Sequence, residues 1–597
     1  MIPRNARSPR VASLGLEEAA PFRRREARMP DDLPWLRHYG RVPAHLDYPS
    51  ATLHEVIRQT AARWPQAPAW DFFGTTSTYA RFLDDIERCA AMLAARGLRE
   101  GDRLMVCMPT SPQGIIAFYA ANRLGAVPAM VHPLSTAAEI TSYLDMTGAR
   151  IALTLDAFLP TILDATPRVP LETILVATIG EYLSPLKRLG FWLTKGRKIA
   201  RAAPDARVHR WSALMAAPHV AAAPVRRSAD DPAAILFSGG TTGFPKAILL
   251  SNRNFIAEGL EAGAWVALSK GDSMLAALPI FHGFGLGVCV NATLMAGGTS
   301  ILVPVFDPAT AAGVIRRTRP SYIVGVPTFF DALSKHPALA KADFSRLKAC
   351  FCGADTLPRA VRERFEKLAK KGGGKLRILE GYGLTEAVSG ILATPLEGYR
   401  EGSIGVPLPD VLAKICRAGG IEALPAGEEG EICVSGPAVM LGYLDDAAAT
   451  AATLRVHEDG RTWLHTGDLG RMDADGFFYF TVRLKRMIKS SGFNVYPAQV
   501  ESVLGEHPLV ADVCVIGVPD PAQVERVKAV VVLKDASLER PETAEALIAH
   551  CRERLIKWSC PREVEFRRAL PQTKVGKVDY RRLVQEHVAR ERRAGPA

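Results

Sequence analysis

Three stretches, far apart in the chain, hold residue types that handle phosphate and ribose. The first is ILFSGGTTGFPKAILLSN, residues 235 to 252. An apolar run feeds a loop with Ser238, Gly239, Gly240, Thr241, Thr242, Gly243 and Lys246, which offers bare backbone N–H groups, hydroxyls and one cation to a polyphosphate. It departs from the helix-opening P-loop, because Pro245 precedes Lys246 where Gly is required and a β-like AILL follows. The second is LEGYGLTEA, 379 to 387, in which Glu386, next to Thr385 in a Gly-rich turn, offers the kind of hard-oxygen carboxylate that Mg²⁺ takes. Gly381 and Tyr382 of the same stretch, with Gly353 and Ala354 of CFCGADTLP (350 to 358), combine a flat ring with close backbone approach and suit a purine. The third is HTGDLG, 465 to 470, where Asp468 can accept both ribose hydroxyls, by analogy with acidic residues of dinucleotide sites.

These loops need rigid elements behind them. TLHEVIRQTAARWP has helical spacing, RLMVCMP (103 to 109) reads as a buried strand, and IIAFYAANRLG (115 to 125) as a helix closed by Gly125. Strand and helix then alternate, which predicts an α/β domain of doubly wound, mostly parallel sheet. Past Gly470 polar turns such as DADG (473 to 476), short strands and a helix near 543 to 557 predict a smaller α+β domain. The boundary falls close to Arg486: residues 1–30 read as a tail, 31–485 as the large domain, 486–585 as the small one and 586–597 as a basic tail.

The 597 residues are 48% hydrophobic and 23% charged, which excludes disordered and fibrous classes. The net charge of +12 is concentrated: residues 1–30 hold seven Arg against three Glu, and residues 181–210 hold eight Lys or Arg against Glu181 and Asp205. The Arg-rich start, with Glu17, Glu18 and Glu26, reads as a disordered tail rather than a targeting peptide. The segment 184–207 interleaves Leu189, Phe191, Trp192 and Leu193 with cations. It is either a surface excursion or a helix lying on anionic lipid. Ten cysteines without CxxC spacing read as buried thiols of a reducing compartment, and no apolar run is long enough to span a bilayer. The expected location is the cytoplasm, extended to the inner membrane face if the second reading of 184–207 holds. No nucleic-acid motif is apparent.

The phosphate loop resembles that of the adenylate-forming superfamily of acyl-CoA synthetases, peptide-synthetase adenylation domains and luciferases. The resemblance continues through PIFHGFGLG (279 to 287), CFCGADTLP, LEGYGLTEA, GPAVMLGYLDD (436 to 446), HTGDLGRMDADGFFYF (465 to 480), RLKRMIKSSGFNVYPAQVE (483 to 501) and LPQTKVGKVDYRRL (570 to 583), covering roughly Leu33 to Leu583. It implies a large domain with a small β-barrel-like part and a mobile C-terminal domain. It also implies Glu386 as the magnesium ligand, Thr385 on the α-phosphate, Arg483 as a second ribose contact and Lys577 as the catalytic lysine. A carboxylate attacking the α-phosphorus of ATP is an anion approaching an anion, so a bridging cation lowers the barrier. Lys574 is the neighbouring control. The family places His282 at the floor of the acid pocket, where an ordinary core histidine is the alternative. Gly283, Gly285 and Gly287 are expected to leave room for a tunnel, and Leu286 stands where some members carry an aromatic gate.

The implied reaction is carboxylate plus ATP to acyl-AMP and pyrophosphate. The small domain then rotates about Arg486 and brings Ser490, Ser491 and Gly492 of the SSGFN loop against the adenylate, forming a channel for coenzyme A. Val482, Gln499, Ala247 and Arg486 depart from the family pattern. The resemblance is strongest to long-chain fatty acid CoA ligases. A fatty acyl-AMP ligase loading a carrier protein and a medium-chain or aryl acid CoA ligase stay open as alternatives. An aminoacyl adenylator lacks the acid near Phe281 to Leu286 that would hold an ammonium group. The expected partners are the small-molecule substrates, with the chain a monomer or homodimer.

Overall fold

The computed structural model describes residues 32–194, 196–199, 204–238, 245–490, 493–520, 524–573 and 577–594. The expected N-terminal tail lies outside them, as do Gly239, Gly240, Thr241, Thr242, Gly243, Ser491, Gly492 and Lys574.

Local signals place the first elements. Thr52 accepts the Glu55 N–H and caps the helix Leu53–Arg63; Ser111 and Pro112 open the helix Pro112–Arg123. Eleven of the twelve residues in that second helix, Pro112 to Asn122, are buried. A helix apolar on all sides must lie inside, and this one contributes to the main core between two sheets.

In the first sheet the strands Arg103–Cys107, Val127–Met130, Ile151–Leu155, Thr173–Ala177 and Pro232–Ser238 run parallel, and Lys246–Ser251 turns back antiparallel on the last. The second sheet runs parallel from Ile378–Gly383 through Ala349–Gly353, Tyr322–Gly325, Ser273–Ala276 and Thr299–Leu302 to Pro68–Phe72, with antiparallel strands added at both edges. A third, antiparallel sheet carries Leu412–Cys416, Glu429–Ser435, Thr462–Met472, Leu454–Val456 and Phe478–Arg483. After the turn Leu484–Arg486 a fourth sheet begins at Ile488. Its long pair Val510–Asp520 and Val524–Leu533 is covered by the helices Pro497–Gly505, Pro541–Arg552 and Tyr580–Ala594.

One expectation is corrected. From PIFHGFGLG the chain enters a widened π-helical turn over Phe284–Ala292. Its glycines leave no tunnel. A Cβ on Gly283 would lie 1.6 Å from the Val388 carbonyl oxygen, one on Gly285 2.2 Å from that of Pro279, and one on Gly287 2.6 Å from Glu258. They let the widened turn seat against neighbouring backbone. Among the described residues no helix is long and apolar enough to cross a membrane. All ten cysteines are buried, and none is joined in a disulfide.

Candidate functional site

The C-terminal ends of strands in the two parallel sheets, residues Glu431, Thr466 and Arg483 of the third sheet and one loop of the small domain converge on a cavity of about 1050 Å³. Ser238 and Lys246, cross-strand partners at the mouth of a hairpin, line it and flank the undescribed cradle loop. The Lys246 ammonium lies 4.0 Å from the centre of the Tyr443 ring, and the Tyr443 hydroxyl donates to Glu386 Oε1 at 2.9 Å. The Glu386 carbonyl accepts the Met440 N–H at 2.8 Å, so the turn Thr385–Ala387 is fixed to the GPAVMLGY segment at both backbone and side chain. Thr385 also lines the cavity. One carboxylate in this position has the donor chemistry for a magnesium ion whose remaining oxygens would come from phosphate and water.

Gly353 and Gly381 are register partners on adjacent parallel strands, and a Cβ on Gly353 would meet the Gly381 carbonyl at 3.0 Å. With Ala354, held at φ +71°, they make one wall of a slot beside Tyr382. The Tyr382 hydroxyl donates to Asp468 Oδ2 at 2.7 Å and Arg483 Nε to Asp468 Oδ1 at 2.7 Å. Asp468 does not itself line the cavity. Its carboxylate stands behind Tyr382 and Arg483, which do, and Oδ2 also accepts from Arg483 Nη2 at 3.5 Å, which leaves Oδ1 with one lone pair unused by these partners.

Lys577 enters from the small domain. Its N–H donates to Thr573 Oγ1 at 3.1 Å and its carbonyl accepts the Thr573 N–H, which fixes the Lys577 backbone against Thr573. Burial, and then Arg483, lower its pKa, against the attraction of Asp355 and Asp468. Across from it, His282 is pulled down to about 4 by burial and by Lys577. Its Nδ1 accepts the Phe284 N–H at 3.1 Å, so the neutral ring carries its proton on Nε2.

Gly283 and Leu286, expected in the acid pocket, are buried in the core and do not line the cavity; Phe284 and Val288 do, because the widened turn rotates them inward. Ser490 is buried in the strand Ile488–Ser490 and is not at the cavity in this arrangement. Arg486 ion-pairs with Glu501 and stacks over Tyr580 at 5.2 Å, both in the small domain. The sequence reading missed Tyr443, although GYLDD was in view. It also missed the group Glu431, Cys433 and His465, whose ligand atoms gather within 4.8 Å of one another. Its ends are 34 residues apart in sequence, and only cross-strand register unites them.

Comparison with known proteins agrees with this geometry. The family model for AMP-binding enzymes matches residues 57–444, and that for the AMP-binding enzyme C-terminal domain matches 499–577. A long-chain-fatty-acid–CoA ligase of Bacillus subtilis (strain 168) is 36% identical over 94% of this chain and 99% of its own. A feruloyl-CoA synthase of an Amycolatopsis species is 34% identical over 86% of this chain and 94% of its own. ATP-bound MatB from Rhodopseudomonas palustris superposes with a TM-score of 0.74 at 28% identity, covering 90% of this chain and 99% of that one. Motif, fold and relatives coincide over nearly the whole length, and the chain belongs to the AMP-binding enzyme family.

Proposed function

We propose that the protein is an ATP-dependent acid–CoA ligase acting on long-chain fatty acids, with ATP, Mg²⁺ and coenzyme A as its small-molecule partners. The observation that carries this is the placement of Lys577 and His282 in one cavity, opposite the slot formed by Tyr382, Gly353 and Ala354. An acid whose carboxylate is received by the His282 Nε2–H meets the α-phosphate held by Thr385 and Lys577. A carboxylate oxygen forms a bond to phosphorus while the bond to the β-phosphate oxygen breaks, and pyrophosphate leaves. The Lys577 ammonium neutralises charge that grows on the reacting oxygens. Magnesium bound at Glu386 would hold and neutralise the leaving phosphates.

The second half-reaction needs a different arrangement. Lys577 occupies the site and Ser490 does not, so the present arrangement suits adenylation. Rotation about the 484–487 turn would withdraw Lys577 and carry the 490–494 loop to the adenylate. A coenzyme A thiolate then attacks the acyl carbon and forms the C–S bond, the acyl C–O single bond of the mixed anhydride breaks, and AMP departs with that oxygen.

Apolar residues of the same cavity, among them Trp265, Phe284, Val288 and Ala292, form a lining suited to a long acyl chain. The reading is tested by purified protein with ATP, coenzyme A and acids from acetate to oleate plus benzoate. Coenzyme A thioester formed fastest from the long acids supports it. Acyl-AMP without thioester would favour a carrier-protein ligase, and preference for benzoate or short acids would overturn the long-chain assignment.

One further observation favours peripheral membrane contact from the cytoplasmic side. The helix Pro185–Thr194 turns Phe191 into the core and leaves Leu186 81%, Leu189 54%, Trp192 54% and Leu193 45% exposed. Arg197 stacks on Trp192 at 5.6 Å. An apolar face edged by cations suits an anionic lipid surface. Lys195 and Arg201, counted in the same cluster, lie outside the described residues.

A further inference from the structure

The geometry points to Glu431 as a positioning residue for nucleotide recognition, acting through the β-bulge that presents Asp468. This rests on the reading of Asp468 as the ribose contact.

The strand Thr462–Met472 pairs with Glu429–Ser435 in a broken register: Cys433 stands opposite His465, and Glu431 opposite Leu469. Thr466, Gly467 and Asp468 therefore oppose Ile432 alone. The two extra residues bulge toward the cavity, with Gly467 at φ +71°, a conformation that favours glycine. A bulge frees backbone groups from the ladder, and each freed group needs a partner. Thr466 Oγ1 donates to the Ile432 carbonyl at 2.7 Å and accepts the Asp468 N–H at 3.1 Å. Glu431 Oε1 accepts the Gly467 N–H at 2.9 Å. Its other oxygen, Oε2, lies 2.8 Å from His465 Nδ1, and His457 Nε2 lies 2.9 Å from His465 Nε2. Glu431, His465 and His457 are all buried.

Burial alone would raise the Glu431 carboxyl, but the bonds from His465 and Gly467 outweigh it and hold the group below the usual carboxylate range. Since an ionised carboxylate only accepts, the proton between the pair belongs to His465 Nδ1. Both Glu431 oxygens are thus engaged, which reads as a positioning network rather than a metal centre, although Cys433 lies near. The bulge in turn aims Asp468 between its cross-strand partner Arg483 and Tyr382. Without Glu431, the Gly467 N–H is orphaned and the Asp468 Cα four bonds along the backbone shifts, carrying its carboxylate with it. A misplacement on the order of 1 Å at a binding group costs up to about a hundredfold.

The test is acid-dependent pyrophosphate exchange by the full-length protein with ATP, 2′-deoxy-ATP and 3′-deoxy-ATP. For Glu431→Ala, KM for ATP should rise about tenfold, while KM for each deoxy nucleotide, which keeps only one hydroxyl for Asp468, should rise less, so discrimination between them narrows. Glu431→Gln retains an acceptor for the Gly467 N–H and should recover most of the loss. If Glu431→Ala does not fold, Glu431→Asp, which draws the acceptor back by one methylene, is read the same way. An equal loss with all three nucleotides, or no loss, overturns the inference. Asp468→Ala separates the two readings. If it keeps full discrimination for ribose, the ribose assignment itself fails; if it loses discrimination while the Glu431 variants keep it, only the role of Glu431 fails.

Discussion

The two ends of the cavity are built on different principles. At the nucleotide end, Asp468 is tied to Tyr382 and Arg483 at 2.7 Å, and Glu386 to Tyr443 at 2.9 Å, by the chain's own side chains. At the apolar end, Trp265, Phe284, Val288 and Ala292 define a shape, and the Trp265 indole N–H is satisfied by the Thr394 carbonyl, away from the cavity task. Preset dipoles and charges act where charge changes in the reaction, so losing one costs orders of magnitude. A hydrophobic wall discriminates by graded volume, about 10- to 200-fold per methylene. The polar end should thus govern whether reaction occurs, and the apolar end which acid is used.

The sharpest way to break this division is Lys577→Ala. Adenylation, followed by pyrophosphate release, should fall about a hundredfold or more, whereas thioester formation from supplied acyl-AMP and coenzyme A should persist. Equal loss in both halves would mean that Lys577 does not leave the site. Glu386→Ala should also abolish adenylation, with no rescue by excess magnesium.

A change at the apolar end should look different. Ala292→Phe adds a ring to the lining, and turnover of the longest acids should drop about tenfold while octanoate and KM for ATP stay near wild type. A rise in KM for ATP equal to the loss on oleate would show that the ends are not separable.

His282 lies between the two ends and has a pH signature. Its folded value of about 4 lies below the ordinary 6.5, so between those values the unfolded chain binds the extra proton and stability falls as pH falls through the window. His457, also near 4, contributes in the same direction. His282→Gln should narrow the gap between melting temperatures at pH 7 and pH 5, and an unchanged gap would place the acid sensitivity elsewhere.

The smallest effect is expected outside the cavity. Leu189→Ser with Trp192→Ser should weaken sedimentation with anionic vesicles several-fold and leave turnover of octanoate unchanged. Identical sedimentation of variant and wild type would remove the lipid role from this helix.

Much of the nucleotide end was legible in the residues. Glycine, proline and hydroxyl spacing is a local signal: it marked Lys246, Tyr382, Glu386 and Asp468, and the alternation of strand and helix predicted the parallel sheets. The caps at Thr52 and Ser111 act within three residues of themselves and could be placed by the same means. The chain alone also separated a phosphate-binding hairpin from a P-loop, since Pro245 and the β-like run after Lys246 exclude a helix there.

What the tertiary structure decided are relations across distance. Tyr382 and Asp468 are 86 residues apart, and Glu431 and His465 are 34 apart; register between strands makes them partners. The acyl lining went the other way from expectation, because Gly283, Gly285 and Gly287 were read as open space and instead seat a widened helical turn against Val388, Pro279 and Glu258. A glycine's freedom is a property of one residue, but whether that freedom becomes a void or a close contact depends on what the rest of the chain brings against it.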